Sequence, residues 1–283
     1  KPLHDLPEHL CFDEFKSVKS SDSNMSFIIC DSTTHKLVDV VRDRKSYSLK
    51  QYFYRFEPKT RLKVKTISID MYLPYIQLIK EMFPNAKIII DPFHIVQALN
   101  RELNRTRVRV MNKHRYKDPK LYRKLKHYWK LILKNPNELQ NYKYNRYKLF
   151  ESFITSKGIV DYILENNPSL KNDYEVVHSL RECIQDRDYI EFKETIEAAT
   201  QLDLSPGLKR VLKTLMTYLP YIQNTCEYPT RTNGPIEGIN NKIKVLKRNA
   251  YGFKNYYHFR NRIILITKMF GPKQKGIKQQ LVA

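Results

Sequence analysis

Residues 66–91 read TISIDMYLPYIQLIKEMFPNAKIIID, a stretch in which a short alternating run, a helical pattern and an isoleucine-rich run follow one another. The alternation covers Leu62–Ile69 and ends on Asp70, while Pro74–Phe83 repeats its apolar residues at helical spacing. The apolar, β-branched run Ala86–Ile90 is typical of a strand that is covered on both faces. The stretch therefore predicts a strand, a helix and a second strand of one sheet.

Three short apolar runs separated by turn residues precede this unit, at His9–Phe15, Met25–Asp31 and Lys36–Val41. They predict an antiparallel meander, and the helical spacing of Ser46–Phe56 predicts a helix after it. The resulting order βββαβαβ is that of a mixed sheet with helices on its faces. We expect an α/β protein with an RNase H-like mixed β-sheet core.

Beyond Asp91 the sequence has almost no strand signal, and Asp-Pro, Asn-Pro and Ser-Pro pairs divide it into helical segments. Helices are predicted over roughly 92–111, 119–134, 137–166, 169–184, 187–200 and 205–224. The predicted organisation has three parts: the first part of the core at 1–95, a large all-helical insertion at 96–229, and C-terminal helices completing the core at 230–283.

The chain is strongly basic, with a formal net charge of +22 and a pI of about 9.7. The charge is uneven, because segments 100–148 and 207–283 each carry +13 whereas segment 149–206 carries −7. A balance of this kind favours a polyanionic partner and disfavours a small acidic or neutral metabolite. Nucleic acid is the leading candidate partner.

Several other classes of protein are excluded by simple patterns. No run of apolar residues is long enough for a membrane span, and no secretory signal opens the chain, so a cytoplasmic protein is expected. The chain begins with Lys1 rather than Met, which leaves room for a preceding segment. The cysteines lack metal-ligand spacing and disulfide density, so reduced thiols are expected; they are Cys11, Cys30, Cys183 and Cys226.

Two aspartates lie at positions in predicted strands where the strand propensity of aspartate does not account for their presence. Asp13 lies inside the first predicted strand, and Asp70 ends the fourth, at the edge where open sheets place ligands. The strand order makes these strands neighbours, and adjacent carboxylates repel unless a cation lies between them. Mg²⁺ suits an all-oxygen site of this kind. The alternative is that each aspartate is an ordinary strand-end or turn residue.

A third carboxylate, Glu237, lies just inside a predicted helix in a segment with only one other acidic residue. Asn240, Asn241 and Lys244 fall on or near the same helical face, so this face would present a metal ligand, amides and an ammonium for phosphate. The alternative is a first-turn glutamate that complements the helix dipole. We favour the metal ligand, because a site with two metal ions needs a third carboxylate.

Five motifs, in order along nearly the whole chain, make the sequence resemble the DDE transposases of bacterial insertion sequences in the group labelled ISL-three. The motifs are CFDEF (11–15), SIDM (68–71), PNA (84–86) leading into IDPFH (90–94), NGPIEGINNKIK (233–244) and KRNAYGF (247–253). The resemblance implies that Asp13, Asp70 and Glu237 form the catalytic triad on an RNase H-like fold. It also implies a helical insertion at roughly 95–230, and the N-terminal DNA-binding region that the family normally has ahead of its first catalytic aspartate is not expected within the given sequence.

The resulting hypothesis is a transposase catalytic domain that cleaves DNA strands and transfers them to a target. Asp13, Asp70 and Glu237 would hold two Mg²⁺ ions, for which Mn²⁺ can substitute. The partners would be double-stranded DNA, as element ends and as target, and further copies of the chain in a homo-oligomeric synaptic complex. The basic residues assigned to DNA are Lys242, Lys244, Lys247, Arg248, Arg105 and Arg109, and a wider DNA-facing surface on 100–148 would include Arg107, Arg115, Arg123 and Lys124.

Two other functions stay open from the sequence. One is a catalytically inactive or domesticated DNA-binding protein, and the other is an RNase H-like nuclease without strand transfer. Asp91 and His94 could act as a metal or acid/base pair, but a helix cap explains Asp91-Pro92 better. Glu14 would point away from Asp13, because neighbours along a strand face opposite sides.

Overall fold

The computed structural model describes residues 5–21 and 23–269, and it divides the chain into two compact units. The first unit comprises the chain up to residue 91 together with residues from 228 onward, and the second comprises residues 92–227. The sequence predicts these boundaries at residues 95 and 229. Part of the predicted C-terminal segment, residues 270–283, lies outside the described residues.

The first unit contains a five-stranded mixed sheet. Its strands are β1 (His9–Lys16), β2 (Met25–Asp31), β3 (Leu37–Val41), β4 (Thr66–Ile69) and β5 (Lys87–Ile90). They lie in the order β3-β2-β1-β4-β5, in which β1, β2 and β3 are antiparallel while β1, β4 and β5 are parallel. The predicted α/β class with an RNase H-like mixed sheet is confirmed.

The described residues form twelve α-helices, of which α4 to α10 belong to the second unit and the others to the first. They are α1 (Ser46–Phe53), α2 (Pro58–Leu62), α3 (Leu73–Met82), α4 (Pro92–Lys113), α5 (Pro119–His127), α6 (Trp129–Leu133), α7 (Ser156–Glu165), α8 (Pro168–Asp186), α9 (Tyr189–Ala199), α10 (Pro206–Glu227), α11 (Gly234–Asn249) and α12 (Tyr256–Met269). No helix in the described ranges is long and apolar enough to cross a membrane.

One face of the sheet is covered by aromatic side chains from the strands and from the helices α1 and α3. The ring of Phe12 on β1 lies 5.1 Å from that of Phe27 and 5.6 Å from that of Phe53, centroid to centroid. Phe53 in turn meets Phe83, which follows α3, at 4.9 Å. Glu14 lies on this face too, where it forms an ion pair with Arg44 at 2.6 Å, so the expectation that it points away from Asp13 is confirmed.

The opposite face is covered by α11 and α12, which follow the second unit in the chain. Three isoleucines of α11, Ile236, Ile239 and Ile243, are buried in one cluster with Cys11 and Phe15 of β1. Their spacing of three and four residues places them on one stripe of the helix. Because side chains alternate along a strand, the side of β1 that carries Cys11 and Phe15 also carries the residue between them, Asp13.

The second unit is built from helices, and its residues 92–227 are all described. Four of these helices begin at proline, whose fixed φ and missing N–H suit the first helical position; they begin at Pro92, Pro119, Pro168 and Pro206. Within this range the only β pairing is an isolated bridge between Asn145 and Ile154. The predicted helical insertion is therefore confirmed.

The predicted helix over 137–166 is wrong in its first half. Residues 139–155 form a long irregular segment, and α7 begins at Ser156 after a cap in which Thr155 Oγ1 accepts from the Gly158 amide at 2.9 Å. Leu149 has a φ of 71°, a left-handed conformation that interrupts a helix. The helical spacing of apolar residues in this segment therefore does not correspond to a continuous helix.

Three shorter predictions also need correction. The predicted strand Leu62–Ile69 shrinks to β4, because Pro58 starts the short helix α2 upstream. The helix predicted over 119–134 is divided into α5 and α6, since Tyr128 between them has non-helical dihedrals (φ −97°, ψ 19°). The helix predicted over Ser46–Phe56 ends at Phe53.

A buried carboxylate organises the long helix α4. Glu102 is 4% exposed, and its two oxygens pair with Arg105 at 3.2 Å and Arg109 at 3.5 Å. Gly207 of α10 provides the space for this carboxylate, because a Cβ at residue 207 would lie 1.7 Å from Glu102 Oε1. The absence of a side chain at residue 207 therefore allows two exposed arginines to be held by one buried glutamate.

We expect Gly207→Ala to lower the free energy of unfolding by about 1–3 kcal/mol, the usual cost of overpacking, because Glu102 must leave its position. Chemical denaturation measures this change. Gly238→Ala is the matched control, since this helical glycine has nothing within 4 Å of an added Cβ and the substitution should stabilise by roughly 0.5–1 kcal/mol. Equal effects at the two glycines would contradict the steric argument.

Candidate active site

The two aspartates singled out in the sequence lie side by side in the first unit. In the parallel pairing of β1 with β4, the last pair is Cys11 and Ser68. Asp13 lies two residues beyond Cys11, and Asp70 lies two residues beyond Ser68. Both are therefore on the face of the sheet that α11 covers. This geometry agrees with the arrangement predicted from strand order.

Asp13 is held at both of its carboxylate oxygens. Its Oδ1 accepts a hydrogen bond from the backbone amide of Glu14 at 2.7 Å, and its Oδ2 accepts one from Asn240 Nδ2 at 2.7 Å. Asn240 lies on α11, so the helix directly fixes the orientation of this carboxylate. Hydrogen bonds to a charged oxygen are among the stronger ones in proteins.

Asp70 is held from the start of the same helix. Asn233, which is 5% exposed, donates through Nδ2 to Asp70 Oδ1 and to the backbone carbonyl of Phe12, both at 3.3 Å. One side chain thus ties the end of β4 to β1. The segment leading to α11 is anchored as well, since Ser68 Oγ donates to the carbonyl of Arg231 at 3.3 Å.

The role of Asn233 is not predicted by the sequence. An asparagine before a helix usually accepts a hydrogen bond from the first turn, and the Asn-Gly-Pro start of α11 indicates only that a helix begins there. In the structure Asn233 occupies the N-cap position without making a side-chain cap. Its amide turns instead to the sheet, and no local sequence pattern indicates that choice.

Glu237 lies in the first turn of α11, four residues after Asn233 and three before Asn240. The helical repeat therefore places it on the same stripe as the two asparagines that hold the aspartates. Its side chain is exposed. The structure brings Asp13 and Asp70 together and places Glu237 on the adjacent helix, at the solvent edge of this arrangement.

The donor atoms around the aspartates have the chemistry that a hard divalent cation prefers, which is carboxylate and amide oxygen. Two buried amide oxygens, Asn233 Oδ1 and Asn240 Oδ1, have no hydrogen-bond partner, a state that is uncommon for buried polar atoms. Within the described ranges, no three His, Cys, Asp or Glu side chains lie close enough together to hold a metal ion by themselves. The oxygen donors around the two aspartates fit a divalent ion. The carboxylate of Glu237 does not form a close group with them, because it is exposed on the adjacent helix.

The basic residues predicted to contact DNA have different surroundings. Lys244 and Arg248 are exposed on α11, whereas the ammonium of Lys247 donates to the carbonyls of Lys16 and Ser17, each at 2.9 Å. Burial lowers the pKa of Lys247. Lys242 is half-buried. The exposed pair on this helix is therefore the part best placed to meet a phosphate.

In the second unit, Arg105 and Arg109 are the two arginines held by Glu102, and both remain partly exposed. The wider surface predicted on 100–148 needs one correction. Arg107 is 7% exposed and donates through Nη1 to the carbonyl of Leu125 at 2.9 Å. It therefore joins α4 to α5 instead of facing DNA.

Asp91 and His94, the remaining candidates, fall in different units. Asp91 is buried directly after β5, with its backbone amide bonded to the carbonyl of Ile69 at 3.0 Å. His94 lies in the first turn of α4. A joint chemical role for this pair stays a prediction.

The chain is similar to known transposases. A family model for DDE transposases of the ISL-three group, described as a transposase, matches residues 10–263. The transposase for insertion sequence element IS1001 of Bordetella parapertussis is 27% identical over 257 residues, which is 89% of this chain and 59% of that protein. No solved structure matches the chain.

A second relative carries a different name. A Lactococcus lactis protein called ATP-dependent protease is 35% identical over 130 residues, which is 46% of this chain and 40% of that protein. The chain thus spans about two-fifths to three-fifths of the length of these relatives. The transposase match covers far more of the chain, and the family model includes Asp13, Asp70 and Glu237. The chain therefore belongs to the ISL-three family of DDE transposases.

Proposed function

We propose that this chain is the catalytic region of a transposase that cleaves a DNA strand at the ends of its insertion sequence. The liberated 3′-hydroxyl would then attack a phosphodiester of target DNA, so that a new phosphodiester joins element to target and the cut target strand leaves with a 3′-hydroxyl. The observation that carries the proposal is that α11 holds both aspartates through Asn233 and Asn240 while it also carries Glu237. Membership in the family supports the same reaction.

In this proposal Asp13, Asp70 and Glu237 would hold divalent metal ions, which DDE transposases use in general. We propose two Mg²⁺ ions, with Mn²⁺ as a substitute. When bound, such ions lower the pKa of an attacking water and stabilise the leaving oxygen. Asn233 and Asn240 keep the aspartates oriented, because each donates a hydrogen bond to a carboxylate oxygen, Asn233 to Asp70 and Asn240 to Asp13.

The exposed cations of α11 would position the DNA. Lys244 and Arg248 lie one and two turns further along the helix than Asn240, so they would bind phosphates beside the scissile bond. In the second unit, Arg105 and Arg109 would add phosphate contacts, since the buried carboxylate of Glu102 restrains both guanidinium groups. We also propose a homo-oligomer in the complex with DNA.

The direct test is incubation of the purified protein with Mg²⁺ and labelled DNA carrying the element's ends, with nicked and joined products scored separately. Nicking followed by joining is the expected result. Nicking without joining would indicate a nuclease, and binding without either product would indicate an inactive DNA-binding protein. We expect Mn²⁺ to support both steps and Ca²⁺ to support little cleavage, because its coordination is looser. Activity that persists in EDTA would contradict metal dependence.

Removing one carboxylate at a time tests the triad. Asp13→Asn, Asp70→Asn and Glu237→Gln should each reduce cleavage to background, because each removes a charged ligand from a site that needs three. DNA affinity should stay equal or rise slightly, since a repulsive negative charge is removed. Gel-based cleavage and binding assays measure both effects. If a variant cleaves at a rate close to that of the unmodified protein, the substituted residue is not part of the catalytic site.

Asn233→Ala and Asn240→Ala test whether the amides orient the aspartates. We expect cleavage to fall by about 10–100-fold, the usual cost of losing a group that orients a metal ligand. The Mg²⁺ concentration at half-maximal rate should rise as well, which a purely structural defect would not cause. Asn249→Ala is the matched control, because Asn249 is exposed at the far end of the same helix. Equal losses in all three variants would contradict the positioning role.

Salt dependence tests whether α11 binds phosphates. In Lys244→Gln/Arg248→Gln, the slope of log K against log salt should decrease by about 2, at roughly 0.9 for each phosphate that is no longer neutralised. Fluorescence anisotropy with a short duplex at several salt concentrations measures the slope. Lys193→Gln serves as the control, since this exposed lysine lies in the acidic segment and pairs with Glu197. An unchanged slope would mean that both cations only face solvent.

A further inference from the structure

One surface of the second unit has no role in the site described above. Residues 141–154, which read NYKYNRYKLFESFI and are called the aromatic loop here, contain five aromatic and three basic residues. Helical spacing predicts a helix for them, but the structure has an irregular loop between a short 3-10 turn at Pro136–Glu138 and α7. What this loop presents to solvent therefore depends on its own hydrogen bonds and packing.

The aromatic loop is closed and anchored by defined contacts. The backbone groups of Asn145 and Ile154 bond to each other in both directions, with N···O distances of 3.0 and 3.1 Å. The hydroxyl of Tyr128, between α5 and α6, donates to the carbonyl of Lys148. Next to that carbonyl, Leu149 takes the left-handed conformation that turns the chain. The loop is thus a hydrogen-bonded structure attached to the helices.

The aromatic residues of the loop divide into two groups. Tyr147 and Phe150 pack inward, with their ring centroids 6.2 and 5.8 Å from that of Tyr128. The other three project into solvent, with exposed fractions of 79% for Tyr142, 64% for Tyr144 and 66% for Phe153. The inward pair is sufficient to attach the loop, so packing does not explain the outward three.

Exposed cations accompany the outward rings. Lys143, Arg146 and Lys148 belong to the same loop, and Tyr144 and Arg146 flank the bridge residue Asn145. All three cations are exposed, and Arg146 directly follows the bridge residue Asn145, while the exposed Phe153 directly precedes its partner Ile154. An exposed guanidinium and an exposed phenyl ring therefore both lie next to the bridge that closes the loop.

A recess with a volume of about 530 Å³ lies beside the loop and is formed by α5, α7 and the loop itself; three cations and one carboxylate, that of Glu151, line it. Lys120 and Arg123 line it, together with Lys124, whose ammonium lies 4.3 Å from the ring centroid of Phe150 and 4.0 Å from that of Tyr162. Positive charge thus continues from the loop onto α5. A chain of phosphates is complementary to the net positive charge of this surface, on which the six cations of the loop and of the recess outnumber the single carboxylate of Glu151.

We propose that the aromatic loop and this recess bind an unpaired strand of DNA. Tyr142, Tyr144 and Phe153 would stack on bases, while the cations of the loop and of α5 neutralise phosphates. Exposed rings can stack only on bases that are not already stacked in a duplex, whereas a surface for duplex DNA needs only the cations. The inference depends on the proposed function for the choice of DNA as the nucleic acid.

The test compares a fluorescein-labelled 20-nucleotide oligothymidine with a duplex of the same length, using the whole chain in EDTA so that cleavage plays no part. In Tyr142→Ala/Tyr144→Ala, the Kd for the oligothymidine should rise by at least about tenfold, because stacking contributes about 1–3 kcal/mol per base and 1.4 kcal/mol is tenfold. The Kd for the duplex should change by less than about threefold, since the cations remain. Circular dichroism checks that the variant is folded.

Two further variants separate stacking from a general disturbance. Tyr144→Phe keeps the ring and should retain the affinity of the unmodified protein for oligothymidine. Tyr47→Ala/Tyr257→Ala removes two tyrosines of the first unit that are also well exposed, and it should leave both Kd values unchanged. An unchanged Kd for oligothymidine in Tyr142→Ala/Tyr144→Ala, or an equal loss on the duplex, would overturn the proposal.

Failure of this inference and failure of the proposed function have different signatures. Binding to oligothymidine requires neither Asp13 nor a metal ion, so Asp13→Asn should bind it as the unmodified protein does. Loss of selective binding in the loop variant, combined with no cleavage by the unmodified protein, would support the loop and reject the transposase reaction. Normal cleavage and joining by the unmodified protein, with no selective loss of oligothymidine binding in the loop variant, would support the transposase reaction and reject the role of the loop.

Discussion

The position of β1 at the centre of the sheet is the constraint on which the site depends. Its alternating side chains place Phe12 among the aromatic rings of one face and Cys11, Asp13 and Phe15 on the other. The apolar side chains on the second face require a cover, and the isoleucine stripe of α11 provides it. Burying each isoleucine contributes about 1.5–3 kcal/mol, so the hydrophobic effect, rather than the polar contacts, holds the helix there.

The polar geometry of the site follows from that packing. With Ile236, Ile239 and Ile243 against the sheet, the adjacent stripe of α11 carries Asn233 and Asn240 to the two aspartates. Two carboxylates side by side repel each other, and each amide offsets part of that cost by donating a hydrogen bond. The same stripe carries Glu237. A single helix thus supplies cover for the core, orientation for two carboxylates and a third carboxylate.

The large positive charge of the chain is used in several physically different ways. Lys247 and Arg107 bond to backbone carbonyls and stabilise the fold, so they contribute to the net charge without being available to phosphate. Arg105 and Arg109 are restrained by Glu102 but stay partly exposed, and Lys244 and Arg248 face solvent. Net charge therefore overestimates how many cations are available to a polyanionic partner, because part of the charge belongs to side chains that hold the fold together.

The sequence by itself determined the mixed sheet, the adjacency of Asp13 and Asp70 and the helical nature of residues 92–227, because strand alternation, helix spacing and proline are local signals. It also placed Glu237 on a helix next to amides. Only the tertiary structure decided that Asn233 reaches Asp70 instead of capping its own helix, that Arg107 is buried, and that residues 141–154 form a loop with three outward rings. Each of these choices depends on a partner distant in sequence, such as β4 for Asn233 or Tyr128 for Lys148, and local propensity carries no information about such a partner.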